Sequence, residues 1–172
     1  TGGDGPGVLI LDGLHRADGL CRGFVGRGWR TWRSDARLHH VEGVQLVVSF
    51  GYRHIIPEEV IGACSAPILN LHISYLPFNR GRHPGSWCFK DGTPCGVSVH
   101  VIDGGLDTGP LLGRRIVEVD PWRATFEAVY WRLREEVEDL FWAVLPPFLT
   151  GDPRPIPQLG PGTLHRAADL PE

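Results

Sequence analysis

Residues 70–107 read NLHISYLPFNRGRHPGSWCFKDGTPCGVSVHVIDGGLD. The stretch opens on the end of one short apolar run, Pro67–His72, and contains a second, Gly96–Ile102. Both runs have strand length and are bounded by Gly/Pro-rich turns. Asn70 and His72 are two residues apart on the first, so on a strand their side chains leave the same face. Asp107 follows the second run in the turn-rich connection DGGLDTGP, which would carry it back over the sheet edge. Between the runs, Ser74–Pro94 is dense in Gly and Pro and reads as an ordered functional loop holding at most a short helix.

Upstream, Val8–Leu11 reads as a buried first strand, Leu14–Gly28 as a glycine-weakened helix, and Trp29–Trp32 as a second strand. Val44–Ser49 is β-branched and nearly continuously apolar, as a parallel strand covered on both faces is. Pro57, Glu58 and Glu59 start a short helix through Cys64. Downstream, Leu111–Val119 reads as a further strand. Thr125–Leu145 carries Phe126, Val129, Tyr130, Leu133, Val137, Leu140, Phe141 and Val144 on one stripe, a helix expected to stop at Pro146 and Pro147. The alternation predicts an α/β fold: a single domain with a mostly parallel, Rossmann-like sheet flanked by helices, its ligand crevice beyond the carboxyl ends of the strands. We expect residues 1–6 to be a flexible start, 7–150 the domain, and 151–172 a proline-rich tail wrapping or leaving it.

The 172 residues carry 17 basic and 20 acidic side chains, a formal charge of -3, which gives no reason to expect nucleic acid as a partner. The longest apolar runs fall far short of the roughly 18 residues that cross a bilayer, so no membrane association is expected. Cys21, Cys64, Cys88 and Cys95 show neither a CxxC pair nor a zinc rhythm, which argues against disulfides and metal and for a reduced, cytoplasmic setting.

An imidazole can accept a proton near neutrality, an amide NH2 can hydrogen-bond a developing oxyanion, and a carboxylate can orient the imidazole. The trio Asn70, His72 and Asp107 thus suits acyl transfer to an amine. On residue type alone, Asn and His at a strand end can equally satisfy loop backbone groups. His100 reads as a strand residue bonded near the site. Arg80 and Arg82, with Asn79, lie in the loop expected to face an acceptor, where a guanidinium can hold phosphate or carboxylate.

The run NLHISYLPFNRG, followed by GVSVHVID and LDTGPLL, resembles the catalytic domain of the folate-dependent formyltransferases, which include glycinamide ribonucleotide, methionyl-tRNA and sugar N-formyltransferases. Asn-x-His, Ser-x-x-Pro, Gly-Val-x-x-His and Asp-x-Gly occur in that order over about Val44–Val119, with an echo in GTLHRAADL near the end. The resemblance is greatest to the sugar N-formyltransferases and to the small formylation domains of peptide synthetases. It implies that Asn70, His72 and Asp107 are the catalytic trio and that 10-formyltetrahydrofolate donates the formyl group, with no metal. It further implies that Ser49, Phe50, Gly51, Tyr52 and Ile55 shape the pterin pocket and that Asp103 to Gly109 close it. Asn79, Arg80, Gly81 and Trp87 are the expected acceptor contacts. The expected partner is a small-molecule primary amine, a nucleotide-linked amino sugar first. The alternatives are formylation of an aminoacyl or hydroxylamine group in peptide or siderophore synthesis, hydrolysis of the donor, and a non-catalytic folate-binding protein. The oligomeric state is left open.

Overall fold

The computed structural model describes residues 4–13, 17–120 and 122–169. It is an α/β fold whose six-stranded, mixed and mostly parallel sheet has the strand order β2-β1-β3-β4-β6-β7. The strands are β1 (Gly7–Asp12), β2 (Arg30–Ser34), β3 (Leu46–Phe50), β4 (Ile68–His72), β6 (Gly96–Val101) and β7 (Leu111–Ile116). A two-stranded ribbon joins β5 (Arg80–Gly81) to β8 (Leu164–His165). The helices are α1 (Asp18–Val25), α2 (Glu58–Ala63), α3 (Pro84–Asp91) and α4 (Phe126–Thr150). The chain forms two compact units, Thr1–Asn70 with Ile102–Gly104, and Leu71–Val101 with Gly105–Glu172.

In the first unit β1 pairs in parallel with β2 and β3, and β3 with β4. LVVSF of β3 is buried along its whole length, as its composition demands of a strand with helices on both faces. Leu11, Val47, Ile56, Val60 and Ile68 form the core, joined by Leu38 and Val41. The buried Asp12 carboxylate at the end of β1 accepts from the Ala17 N–H at 3.0 Å and from Arg33 Nη2 at 2.6 Å. Arg33 also reaches Asp18 of α1 at 2.7 Å. Gly5 and Pro6, expected outside the fold, accept from Arg30 through their carbonyls. The expected helix over Leu14–Gly28 is shorter, because Gly26 already caps α1; Leu14 lies outside the described residues.

In the second unit β6 and β7 are antiparallel and α4 packs on both. Val129, Leu133, Val137, Leu140 and Phe141 of its apolar stripe are buried, and Thr125 caps its first turn by accepting from the Ala128 N–H at 3.1 Å. Pro146 and Pro147 do not end this helix as expected. A proline removes one N–H from the ladder but holds a helical φ, and here the chain stays helical to Thr150, closing on Gly151 at φ 83°. No helix among the described residues is long and apolar enough to cross a membrane.

A second correction concerns the cysteines. Cys88 and Cys95 form a disulfide, although their spacing follows no recognised framework. Cys88 lies in the last turns of α3, and Gly92, left-handed at φ 64°, turns the chain back so that the two Cα atoms lie 5.1 Å apart. Cys21 and Cys64 remain thiols.

Residues 151–165 close onto the second unit. Ile156 and Leu111 exchange backbone hydrogen bonds at 2.7 and 2.8 Å, and Arg80 and Arg82 donate their N–H groups to the carbonyls of Thr163 and His165. Glycine is required at two points of this contact. A Cβ on Gly162 would collide with the Pro77 carbonyl, and one on Gly81 with the His165 carbonyl.

Candidate active site

β4 and β6 place two histidines, and the turn after β6 a carboxylate. His72 ends β4 with 6% exposure and His100 lies on β6 with 1%. Asp107 sits at φ 54°, its side chain 12% exposed. Its Oδ2 lies 3.7 Å from His72 Nδ1 and its Oδ1 lies 3.6 Å from His100 Nε2. One carboxylate therefore faces two imidazoles, one with each oxygen.

The opposite nitrogen of each ring is committed to backbone. His72 Nε2 lies 3.0 Å from the Asn79 carbonyl and His100 Nδ1 lies 2.9 Å from the Val101 carbonyl. A carbonyl only accepts, so both of these nitrogens carry hydrogen. In a neutral ring the basic nitrogen is then the one turned to Asp107: Nδ1 of His72 and Nε2 of His100. Sequence reasoning made Asp107 the group that orients His72. In the structure the Asn79 carbonyl makes that hydrogen bond, while Asp107 lies 3.7 Å from Nδ1, where it pairs with the ring once that nitrogen is protonated.

The carboxylate is held in turn. Its Oδ2 accepts from the Gly81 N–H at 2.8 Å. Burial pushes the Asp107 carboxyl up, but His72 and His100 in their protonated forms, which turn positive charge and an N–H from His100 toward it, outweigh that together with the Gly81 N–H. The group stays ionised to well below the usual carboxylate range.

Asn79 carries this arrangement from beneath. It is fully buried at φ 58°, a left-handed conformation that asparagine tolerates better than most residues. Its Nδ2 donates to Thr93 Oγ1 at 2.8 Å, its Oδ1 accepts from Thr163 Oγ1 at 3.1 Å, and its own N–H donates to Thr163 Oγ1 at 2.7 Å. Of the expected acceptor contacts, Asn79 thus turns its side chain into the protein. Trp87 does likewise: it is 3% exposed, donates to the Arg82 carbonyl at 3.0 Å, and stacks on His165 with ring centroids 3.9 Å apart. Arg80 is half-buried and donates through Nη2 to Gln158 Oε1 at 3.1 Å, while its buried Nε has no hydrogen-bond partner. Gly81 offers the N–H already described.

In the first unit, Asn70 lies on β4 in register with Ser49 of β3. Ser49 and Phe50 are buried within β3, and Gly51 follows at φ 71°. Tyr52 donates its hydroxyl to the Ala36 carbonyl at 2.5 Å and packs edge-on to His54. Ile55 is 80% exposed. Asp103 belongs to this unit and Gly109, buried, to the other.

Sequence reasoning missed the contribution of the tail. Gln158, Thr163 and His165 each bond a residue of the loop or the turn, and the only signal for it was the GTLHRAADL echo.

A family model described as Formyl transferase matches residues 34–145. The methionyl-tRNA formyltransferase of Myxococcus xanthus is 34% identical over 112 residues, 64% of this chain and 36% of that protein. The dTDP-4-amino-4,6-dideoxyglucose formyltransferase of Mycobacterium bovis is 33% identical over 100 residues, 58% of this chain and 42% of that protein. The matched part of this chain therefore spans less than half the length of these curated relatives. Among solved structures, the formyltransferase PseJ from Anoxybacillus kamchatkensis, in complex with UDP-4,6-dideoxy-4-formamido-L-AltNAc and tetrahydrofolate, superposes with a TM-score of 0.86. It is 32% identical, with 95% of this chain and 87% of that chain covered. With the family model covering well over half of its residues, this chain belongs to the formyl transferase family.

Proposed function

We propose that this chain is an N-formyltransferase that moves the formyl group of 10-formyltetrahydrofolate to a primary amine of a small metabolite, an amino sugar carried on a nucleotide. The observation that carries the reading is the Asp107 carboxylate facing the basic nitrogens of His72 and His100 at 3.7 and 3.6 Å. The likeness to a structure containing a formamido nucleotide sugar and tetrahydrofolate supports the choice of acceptor and donor. The amine gains the formyl carbon in a new C–N bond, the donor's C–N bond breaks, and one proton passes from the amine to the departing tetrahydrofolate.

When bound, the folate supplies an electrophilic formyl carbon and a nitrogen leaving group. Ser49, Phe50, Gly51, Tyr52, Ile55 and Asp103 would hold it, with Gly109. His72 takes the amine proton on Nδ1, the nitrogen its bond to Asn79 leaves basic. The resulting imidazolium lies between the Asp107 carboxylate and the Asn79 carbonyl, both of which favour the positive charge. Asn70, two residues earlier on β4, donates its NH2 to the formyl oxygen as that atom gains charge. His100 pairs with the second carboxylate oxygen when its own Nε2 carries a proton.

The test is incubation with 10-formyltetrahydrofolate and a panel of nucleotide 4-amino sugars, amino acids and hydroxylamines, with mass detection of products. A formylated amino sugar supports the reading. Products confined to the amino acids or hydroxylamines would move the acceptor to peptide or siderophore chemistry, and formate alone would indicate hydrolysis.

A further inference from the structure

Gln158 lies beyond residue 145, where the family match ends, in a segment whose composition suggested only a proline-rich tail. Its side chain nevertheless reaches the turn that carries Asp107. Nε2 donates both hydrogens there, to the Asp107 carbonyl at 2.9 Å and to the Gly109 carbonyl at 2.8 Å, while Oε1 accepts from Arg80 Nη2 at 3.1 Å. Both donors and one acceptor site of this amide are used on three groups at the site, and its two donors span a turn whose first residue stands at φ 54°.

We infer that Gln158 is a positioning residue: it fixes the Asp107–Gly109 turn so that the Asp107 carboxylate faces His72 and His100 and receives the Gly81 N–H. Both imidazole partners of that carboxylate stand at the edge of contact distance, 3.6 and 3.7 Å. A displacement of the turn by 1 Å removes one imidazole from reach, and a misplacement of that size costs on the order of a hundredfold in rate. The β5–β8 ribbon and the Ile156–Leu111 bridge hold the tail independently of Gln158. Gln158 is therefore dispensable for docking the tail and needed for aiming the carboxylate. The catalytic consequence rests on the proposed transfer reaction, whereas the positional claim does not.

The experiment measures amide hydrogen exchange in the intact chain and in Gln158→Ala and Gln158→Glu. The glutamate keeps the acceptor for Arg80 and loses both donors. In both variants the Gly81 amide, bonded to the Asp107 carboxylate, is expected to exchange at least tenfold faster. The Arg80 and Arg82 amides, bonded to Thr163 and His165 in the ribbon, should stay as protected as in the unaltered chain. Acceleration of all three together would make Gln158 a mere tail anchor and overturn the inference, as would no change at Gly81. Steady-state turnover supplies the second arm: kcat should fall between about ten- and a hundredfold with the folate KM within about twofold. Unaltered kcat with accelerated Gly81 exchange would overturn the catalytic part alone. Absence of transfer by the unaltered chain would defeat the functional reading and leave the exchange arm to decide the positional claim.

Discussion

His72 Nε2 lies 3.0 Å from the backbone carbonyl of Asn79, and this single contact sets which nitrogen of His72 is basic. The N–H points to Asn79, so Nδ1, 3.7 Å from Asp107, is left to take a proton. His72→Gln can place an amide N–H near the Asn79 carbonyl but has no basic nitrogen. We expect it to lower kcat by about 10²- to 10⁴-fold while tetrahydrofolate affinity, measured by calorimetry, stays near that of the unaltered chain. Near-normal turnover would remove His72 from the mechanism.

Asp107 predicts a pH dependence of stability. Its folded-state value lies below the ordinary 3.8, so the ionised carboxylate contributes its full stability above about pH 4 and loses it as pH falls through the lower, folded value. Asp107→Asn should therefore be less stable than the unaltered chain at neutral pH, and the gap should narrow with acid. Urea unfolding at about pH 7, 3.5 and 2.5 checks this; a gap that widens with acid would reverse the sign and refute it.

The network under His72 separates hydrogen bonding from backbone conformation. Asn79→Gly keeps the left-handed φ but leaves the hydroxyls of Thr93 and Thr163 short of a partner, and should cost about 1–3 kcal/mol. Asn79→Ala adds the penalty of a β-carbon at positive φ, about 1 kcal/mol more. Equal costs in chemical denaturation would show that the backbone conformation relaxes.

The Cys88–Cys95 bridge closes a loop with a sequence separation of 7. By chain entropy such a loop is worth about 2–3 kcal/mol. The double variant Cys88→Ser/Cys95→Ser should unfold at correspondingly lower urea, and reductant should shift the unaltered chain toward it. A chain indifferent to reductant would mean that the thiols are unpaired in solution.

The parts of the fold legible in the sequence are those that periodicity and side-chain chemistry encode locally. The apolar run of β3 and the buried part of the α4 stripe both follow from spacing. What was not legible depends on contacts between residues distant in sequence. β5 and β8 are two residues each, too short for any alternation, and pair across more than 80 positions. The left-handed Asn79 exists because Thr93 and Thr163 hold its side chain. The disulfide needed the turn at Gly92. The motif pointed to Asp107 together with His72, whereas the second imidazole, His100, and the Gly81 N–H on its carboxylate came from the fold.

Single-turnover transfer from 10-formyltetrahydrofolate to the nucleotide-linked 4-amino sugars of the proposed acceptor class, following formylated sugar by mass and tetrahydrofolate by absorbance, is the decisive measurement. The account predicts the two products in equal amounts, formed by the unaltered chain and lost in His72→Gln. Tetrahydrofolate released without formylated amine, or transfer undiminished in His72→Gln, would contradict it.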